Sequence, residues 1–284
     1  MTLLDLKNKF YSELSETYPK TEITSFFSIL VEESLSLDKA ELILNRNKLV
    51  KPDEILFFNT ALFRLKRNEP IQYIIGFTEF YNLKLKVNKD VLIPRPETEE
   101  LTDWIVYDFK NHKEKIKILD IGTGSGAIAI SLAKNLENSE VWAIDVSDKA
   151  LQTAKENALI NKVNIHFIKD DILQVKKLPT FFDVIVSNPP YVRDLEKKEM
   201  QNNVLLHEPN QALYVRDDNP LIFYDKIAKL AKVFLSNNGS LYFEINQYLK
   251  KETVKLVKDK GFSVLELRQD FLSNNRMLKA KIKE

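Results

Sequence analysis

Two short stretches hold residues whose types and spacing could do chemistry. The first is Ser187-Asn188-Pro189-Pro190-Tyr191, directly after the β-branched run Val184-Ile185-Val186. Two consecutive prolines end a strand and withdraw two backbone donors. Asn188 and Pro189 each precede a proline, which drives both toward extended backbone. The rings hold two φ angles near about −65°, so the direction of the Pro189 carbonyl is set before any ligand arrives. The Asn188 side-chain carbonyl is a second acceptor close by. Two acceptors so placed suit a planar NH2 group: each takes one N–H, and the third direction of the nitrogen stays open toward an electrophile. Tyr191 offers a flat face for a planar group. Hydrogen bonds drawing on both protons keep electron density on the nitrogen and stabilise the positive charge that develops during attack. In-line placement can supply up to roughly 7–11 kcal/mol of barrier lowering. A hydroxyl or carboxylate could not satisfy both acceptors, and a buried unpaired acceptor costs about 1–3 kcal/mol. The plain alternative is a proline turn closing a strand.

The second stretch is LDIGTGSGAIAI, with Gly122, Gly124 and Gly126 at alternate positions between a strand and a helix. Glycine permits a tight turn and close approach of a ligand. The helix N-terminus behind it presents free N–H groups and a partial positive charge. Asp145 ends the next strand, 23 residues after Gly122, where a carboxylate can accept from ribose hydroxyls. The combination predicts a nucleoside-bearing cofactor held by Gly122, Thr123, Gly124, Ser125, Gly126 and Asp145. The spacing is G-x-G-x-G rather than the G-x-G-x-x-G of dinucleotide sites, and it resembles the first motif of S-adenosylmethionine-dependent methyltransferases. That resemblance implies that Asp171 and Ile172 flank the adenine, by a side-chain acceptor and by apolar contact. Asp170 reads equally well as a solvated loop acid.

The elements that must position these residues follow from periodicity. The first 70 or so residues read as helices: one over Leu3–Leu14 stopped by Pro19, one opened by Thr21 with Thr24 as an alternative cap, one started by Asp38, and one with Pro52 in its first turn. Phe26, Phe27, Leu30 and Val31 are expected in their core. Leu83, Leu85 and Val87 alternate with Lys84 and Lys86, the period of a half-buried strand; Asn88-Lys89-Asp90 is an expected turn, and the segment reads as a β-hairpin. From about Lys115 the pattern is strand, glycine loop, helix, strand, repeated to a final pair of strands around QDFLSNN. Alternating units predict an α/β fold, an open sheet with helices on both faces. The expected domains are a helical one over 1–70, a hairpin linker over 71–95 and a Rossmann-like domain over 96–284.

Composition narrows the classes. The chain has 284 residues with a net charge of +1, from 42 basic and 41 acidic side chains, which gives no support for a broad footprint on nucleic acid. With no cysteine, disulfides, thiolate nucleophiles and cysteine metal sites are excluded together. His112, His166 and His207 are scattered, and no metal site is expected. The N-terminus does not read as a signal peptide, and no uncharged run approaches a membrane span. The cytoplasm is the expected location.

SNPPY together with DIGTGSGAIAI resembles amino-methyltransferases, including those acting on adenine in DNA and on glutamine in proteins. EPIQYIIGFTEFY, VLIPRPETEEL, EPNQAL (Glu208–Leu213) and RQDFLSNNRMLKA, with Asp270 and Arg276, are similar to the HemK/PrmC family of protein-(glutamine) methyltransferases, over nearly the whole chain. The resemblance implies an N-terminal helical domain, a hairpin linker and a Rossmann-like catalytic domain. It implies S-adenosylmethionine as cofactor, and as substrate the glutamine of the Gly-Gly-Gln loop in class I peptide-chain release factors. Gly122 to Gly126 would hold the methionine part of the cofactor and Asp145 its ribose. Asn188, Pro189, Pro190 and Tyr191 would hold the glutamine amide, with Asn188 also beside the cofactor, and Pro94 to Thr98 would line the site. Three positions depart from the family: Ile172, where an aromatic is common; Leu206-His207, where Arg-Phe is; and Asn246, where glycine follows Glu-Ile. His207 reads as structural rather than as a base. No direct nucleic-acid or membrane contact is expected, and the chain is expected to be a monomer. The competing functions are a ribosomal-protein glutamine methyltransferase, a nucleic-acid adenine methyltransferase and a binding module that keeps a cofactor pocket. The outer face of the N-terminal helices is the expected docking surface for the protein substrate.

Overall fold

Helix signals in the N-terminal quarter are local, and most act as expected in a computed structural model that describes residues 1–282. In α1 (Leu3–Leu14) the Thr2 hydroxyl accepts from the Asp5 N–H and Asp5 accepts from the Thr2 N–H, a reciprocal cap. The next helix, α2 (Lys20–Leu35), begins directly after Pro19. Thr21 and Thr24 therefore lie inside it rather than at its cap, and the Thr24 hydroxyl donates back to the Lys20 carbonyl at 2.7 Å. Asp38 caps α3 (Lys39–Leu44) by accepting from Ala40 and Glu41 N–H. Pro52 stands first in α4 (Pro52–Leu65), where its missing N–H costs nothing. Gly76, at φ 82°, ends α5 (Ile71–Ile75). The apolar faces meet around Phe10, Phe27 and Phe58, with Phe26, Leu30 and Val31 also buried.

Then follow β1 (Phe77–Phe80) and β2 (Leu83–Lys86), an antiparallel hairpin. Its turn is Tyr81-Asn82, both at positive φ, the geometry that matches strand twist in two-residue loops. It carries no glycine, so its sequence signal is weak. The Asn88-Lys89-Asp90 turn comes after the hairpin, where the Asn88 side chain accepts from the Asp90 N–H at 2.8 Å. Next come α6 (Pro96–Phe109), β3 (Ile116–Ile121), α7 (Ala127–Asn135), β4 (Ser139–Asp145), α8 (Asp148–Ile160), β5 (Ile165–Lys169), β6 (Phe182–Ser187) and the short β7 (Val192–Arg193). The chain continues through α9 (Asn202–His207), α10 (Asn210–Leu213), β8 (Tyr214–Val215), α11 (Ile222–Phe234), β9 (Leu235–Glu244), α12 (Lys250–Asp259), β10 (Phe262–Gln269) and β11 (Asn275–Ile282).

Two compact units result, residues 1–76 with 201–207, and 77–200 with the chain from 208 onward. The expected linker over 71–95 is divided between them. Ile71 and Ile74 belong to the helical core. Phe80 and Leu85 belong to the core of the second unit, and Asn157 of α8 clamps the hairpin by bonding both the N–H and the carbonyl of Lys86, at 2.6 and 2.9 Å. Among the described residues no helix is long and apolar enough to cross a membrane.

The second unit is built on a seven-stranded sheet in the order β10-β11-β9-β6-β3-β4-β5. β9 through β5 run parallel in that row, while β11 pairs antiparallel with both β9 and β10. The near-continuous apolar β3 and β6 (buried Ile118, Leu119, Val184, Ile185, Val186) suit strands covered on both faces. From β3 the chain moves outward through β4 and β5, then returns to β6 on the other side of β3. Loops leaving the carboxyl ends at such a reversal open a crevice for ligands.

Gly126 shows why the loop after β3 needs glycine. It caps α7 at φ 84°, and a Cβ there would stand 2.8 Å from Ile130 Cδ1 and 3.2 Å from Ala154 Cβ. Left-handed strain and overpacking each cost about 1–3 kcal/mol. Gly126→Ala is expected to destabilise the protein by roughly 3 kcal/mol, read as a lower urea midpoint; an unchanged midpoint would refute this account of the position.

Candidate active site

Strand register places the two chemical stretches side by side. Ile121 of β3 pairs with Ser187 of β6 on one side and Ile144 of β4 on the other, and Asp145 pairs with Lys169 of β5. Asn188, Gly122, Asp145 and Asp170 therefore leave the sheet in one row, spanning about 15 Å at roughly 4.8 Å per strand. The Ser187 hydroxyl donates to the Ile121 carbonyl at 2.7 Å and ties the two central ends together.

A cavity of about 370 Å³ opens along this row, within the span usual for small-molecule sites. Its walls include Gly122, Gly124, Asp145, Asp171, Ile172, Asn188, Pro189 and Pro190, together with Lys89–Leu92, Pro209, Gln211, Ala212, Phe223 and Ile227. Gly122 and Gly124 have positive φ, and a Cβ on either would meet nothing within 4 Å. The backbone thus leaves a bare cradle that side chains would fill. Asp145 Oδ2 accepts from the Gly124 N–H and Oδ1 from the Ser147 N–H, both at 2.9 Å. Burial raises its carboxyl above the ordinary value against those N–H groups. Asp171 Oδ1 accepts from the Leu173 N–H at 2.9 Å, which holds its carboxylate at the opposite end of the cavity from Asn188. A bare backbone cradle, an acid on the adjacent strand and a second acid beside Ile172 fit a nucleoside-bearing cofactor.

Not every residue assigned to the site reaches it. Thr123, Ser125 and Gly126 do not line the cavity. Thr123 and Ser125 are buried, the Thr123 hydroxyl donating to Asp120 at 2.7 Å and the Ser125 carbonyl accepting from Asn157 at 2.9 Å. The loop alternates, two glycines outward and their neighbours inward. Tyr191 also lies off the cavity wall. Its ring packs against the core and its hydroxyl donates to Glu244 Oε1 at 2.9 Å. His207 does not line the cavity, and its Nε2 is 2.8 Å from the Arg67 carbonyl within the helical unit.

Asn188 is oriented by a buried polar chain that sequence reading missed. Its Nδ2 donates to the Thr98 hydroxyl at 3.1 Å, and that hydroxyl donates to Glu244 Oε2 at 2.6 Å. Arg276 reaches the Tyr191 hydroxyl at 3.4 Å and pairs with Asp270 at 3.2 Å. Burial raises the Glu244 carboxyl, opposed by the Thr98 and Tyr191 hydroxyls and the Arg276 charge. Asn246, the departure from the family glycine, donates from Nδ2 to the Tyr191 carbonyl at 2.9 Å and to Glu196 at 3.0 Å. The Ile93–Thr98 segment is pinned through Glu208, which accepts from the Ile93 N–H and from Arg95 at 3.2 and 2.5 Å. Chain separation hides which of these residues pair; the family resemblance pointed to Thr98, Glu208, Asp270 and Arg276, and the further signal was isolated charges, Glu244 among them, inside segments otherwise apolar or turn-like.

Asp120 is the other missed residue. At the end of β3 it is 1% exposed, and its Oδ1 has no hydrogen-bond partner. Burial pushes its carboxyl up to about 7, with the Thr123 hydroxyl only partly opposing. The folded state therefore holds the proton more tightly than the unfolded chain, whose carboxyl titrates near about 3.9. Stability should fall as pH rises from about 4 to about 7, and the cost, on the order of 4 kcal/mol when complete, should persist above that window. Asp120→Asn is expected to flatten the slope in urea unfolding followed between pH 5 and pH 8. An identical slope in the variant would overturn the assignment.

Comparison with known proteins adds to this geometry. Residues 98–266 match the model of the Methyltransferase small domain, and residues 5–76 match that of the PrmC N-terminal domain. The chain is 50% identical over 287 aligned positions to the release factor glutamine methyltransferase of Flavobacterium psychrophilum, covering 100% of both chains. It is 38% identical to that of Bacteroides thetaiotaomicron, over 94% of this chain and 95% of the relative. Among solved structures, a methyltransferase from Pyrococcus furiosus superposes with a TM-score of 0.53 at 18% identity, over 80% of this chain and 100% of the other, which speaks to the fold alone.

Proposed function

The chain belongs to the release factor glutamine methyltransferases, and from that premise we propose that the cavity described above is where it methylates the Gly-Gly-Gln loop of class I release factors. The enzyme transfers a methyl group from S-adenosylmethionine to the side-chain amide nitrogen of a release-factor glutamine. The observation that carries the site assignment is the sense of the Asn188 amide: its N–H side is taken by Thr98, so its carbonyl oxygen is the polar atom offered to the cavity it lines.

Bound S-adenosylmethionine supplies an electrophilic methyl group on a sulfonium. Gly122 and Gly124 would leave room for it, Asp145 would take the ribose hydroxyls, and Asp171 with Ile172 would flank the adenine. Asn188 Oδ1 and the Pro189 carbonyl each accept one N–H of the glutamine amide. Pulling on both protons would keep the nitrogen lone pair available and stabilise the charge that grows on nitrogen as it takes the methyl group, the sulfonium sulfur leaving with its electron pair as a neutral thioether. The methylated nitrogen is acidic enough to release its proton to water, so no strong base is needed. Tyr191 acts from behind, its ring and hydroxyl fixing the loop. A release-factor substrate supports a cytoplasmic location for the enzyme, and the reading takes it to act as a monomer without direct nucleic-acid or membrane contact.

The test is transfer of labelled methyl groups from S-adenosylmethionine to purified release factor, ribosomal proteins and DNA in parallel. Label in the release factor, at the loop glutamine, is expected. Label confined to ribosomal protein or to DNA would replace this reading.

A further inference from the structure

We propose that Glu244 is the positioning residue that sets which way round the Asn188 amide stands, through the Thr98 hydroxyl. The inference rests on the reading of Asn188 as an acceptor for the glutamine amide.

The argument is one of donors and acceptors. Two hydroxyls and the Arg276 charge face the buried Glu244 carboxyl and favour its ionised form against the burial that raises it, and an ionised carboxylate accepts only. Glu244 Oε2 is 2.6 Å from the Thr98 hydroxyl and Oε1 is 2.9 Å from the Tyr191 hydroxyl, so both hydroxyl protons are committed to it. Thr98 Oγ1 is left with lone pairs alone toward Asn188. It therefore selects the Nδ2 edge of that amide, found at 3.1 Å, and turns Oδ1 to the other side. The two edges of an asparagine amide have nearly the same shape, so packing does not distinguish them; hydrogen-bond sense does. The chain is shielded from water, since Thr98 is 4% and Glu244 1% exposed. It is also anchored from outside: Tyr224 donates to the Glu244 carbonyl at 3.0 Å, and Arg276 donates to the Tyr191 hydroxyl at 3.4 Å.

A glutamine in place of Glu244 keeps the shape and reverses the sense. The Tyr191 hydroxyl already receives Arg276, so it is best met by the new carbonyl oxygen. The new NH2 then faces Thr98, whose proton turns to Asn188 and selects its oxygen. The Asn188 NH2 is thereby presented to the cavity, and a site with two acceptors becomes one with a donor and an acceptor. Such a site no longer takes both N–H of the glutamine nitrogen, and it penalises a carboxylate less, because the new donor can meet one of its oxygens.

Two readouts test this. For Glu244→Gln, kcat toward the release factor is expected to fall on the order of 100-fold, as when one preorganised hydrogen bond to developing charge is lost, with cofactor affinity within about twofold. The binding preference for the native factor over its Gln→Glu variant should shrink by about tenfold or more. A merely structural lesion would weaken both factors alike. Thr98→Val should lose kcat similarly, and Thr98→Ser, which keeps the hydroxyl, should recover most of that loss, so the proposal remains open to test if Glu244→Gln does not fold. Wild-type kcat in Glu244→Gln and Thr98→Val overturns it, as does equal weakening toward both factors. Persistence of transfer in Asn188→Ala overturns the acceptor reading itself; an inactive Asn188→Ala beside fully active Glu244→Gln and Thr98→Val overturns only the present inference.

Discussion

Replacing Asn188 by alanine is expected to reduce kcat for methyl transfer by about 1,000-fold, while the affinity for S-adenosylmethionine changes little. Removing a single preorganised partner of developing charge costs about 2.7–4 kcal/mol, and each 1.36 kcal/mol is tenfold in rate. Alanine removes Oδ1 and also frees the substrate nitrogen to rotate out of line, so the upper end of that range applies. In the proposed site, cofactor affinity would rest mainly on the other three loops of the row, at Gly122, Asp145 and Asp171, whose hydrogen bonds do not involve Asn188. Single-turnover rates with prebound labelled cofactor separate the two effects. A variant with near-normal single-turnover rate, or one that has lost the cofactor instead, would remove Asn188 from the chemistry.

Changing the acceptor glutamine of the release factor to glutamate is expected to abolish labelling and to weaken binding by at least tenfold. A carboxylate has no N–H for either acceptor, so Asn188 Oδ1 and the Pro189 carbonyl both go unpaired, at about 1–3 kcal/mol each, and a negative charge is brought against two oxygens. The amide contains the nitrogen nucleophile, and the carboxylate has none to replace it. Competition between native and variant factor for the enzyme, read as inhibition of labelling, measures the binding half of this claim. A variant factor that inhibits as strongly as the native one binds would show that the amide is not read at this position.

The segments that meet at the cavity were legible where their signals are local. The glycine spacing, the acid after the next strand and the paired prolines each act through their own backbone, and the strand register then joined them at one sheet edge. Which side of the glycine loop faces the ligand was not legible. Thr123 and Ser125 turn inward because Asp120 and Asn157 wait there, and nothing in the local sequence names those partners. The Tyr81-Asn82 turn was missed because two non-glycine residues adopt positive φ. The hairpin was expected to stand between domains, but its apolar side chains and the Asn157 clamp assign it to the sheet-bearing unit.

What the sequence by itself determined is the class of the fold, the order of its elements, and the glycine-loop and Asn-Pro-Pro segments that meet at the cavity. Hydrophobic period, caps and proline geometry operate over a few residues and are readable in one dimension. Only the tertiary structure decided the sense of the Asn188 amide. Thr98 and Glu244 are 146 positions apart and meet at 2.6 Å because α6 packs against β9 of the sheet. Hydrogen-bond direction in a dry interior depends on every partner at once, and partners brought together by packing leave no periodic trace along the chain.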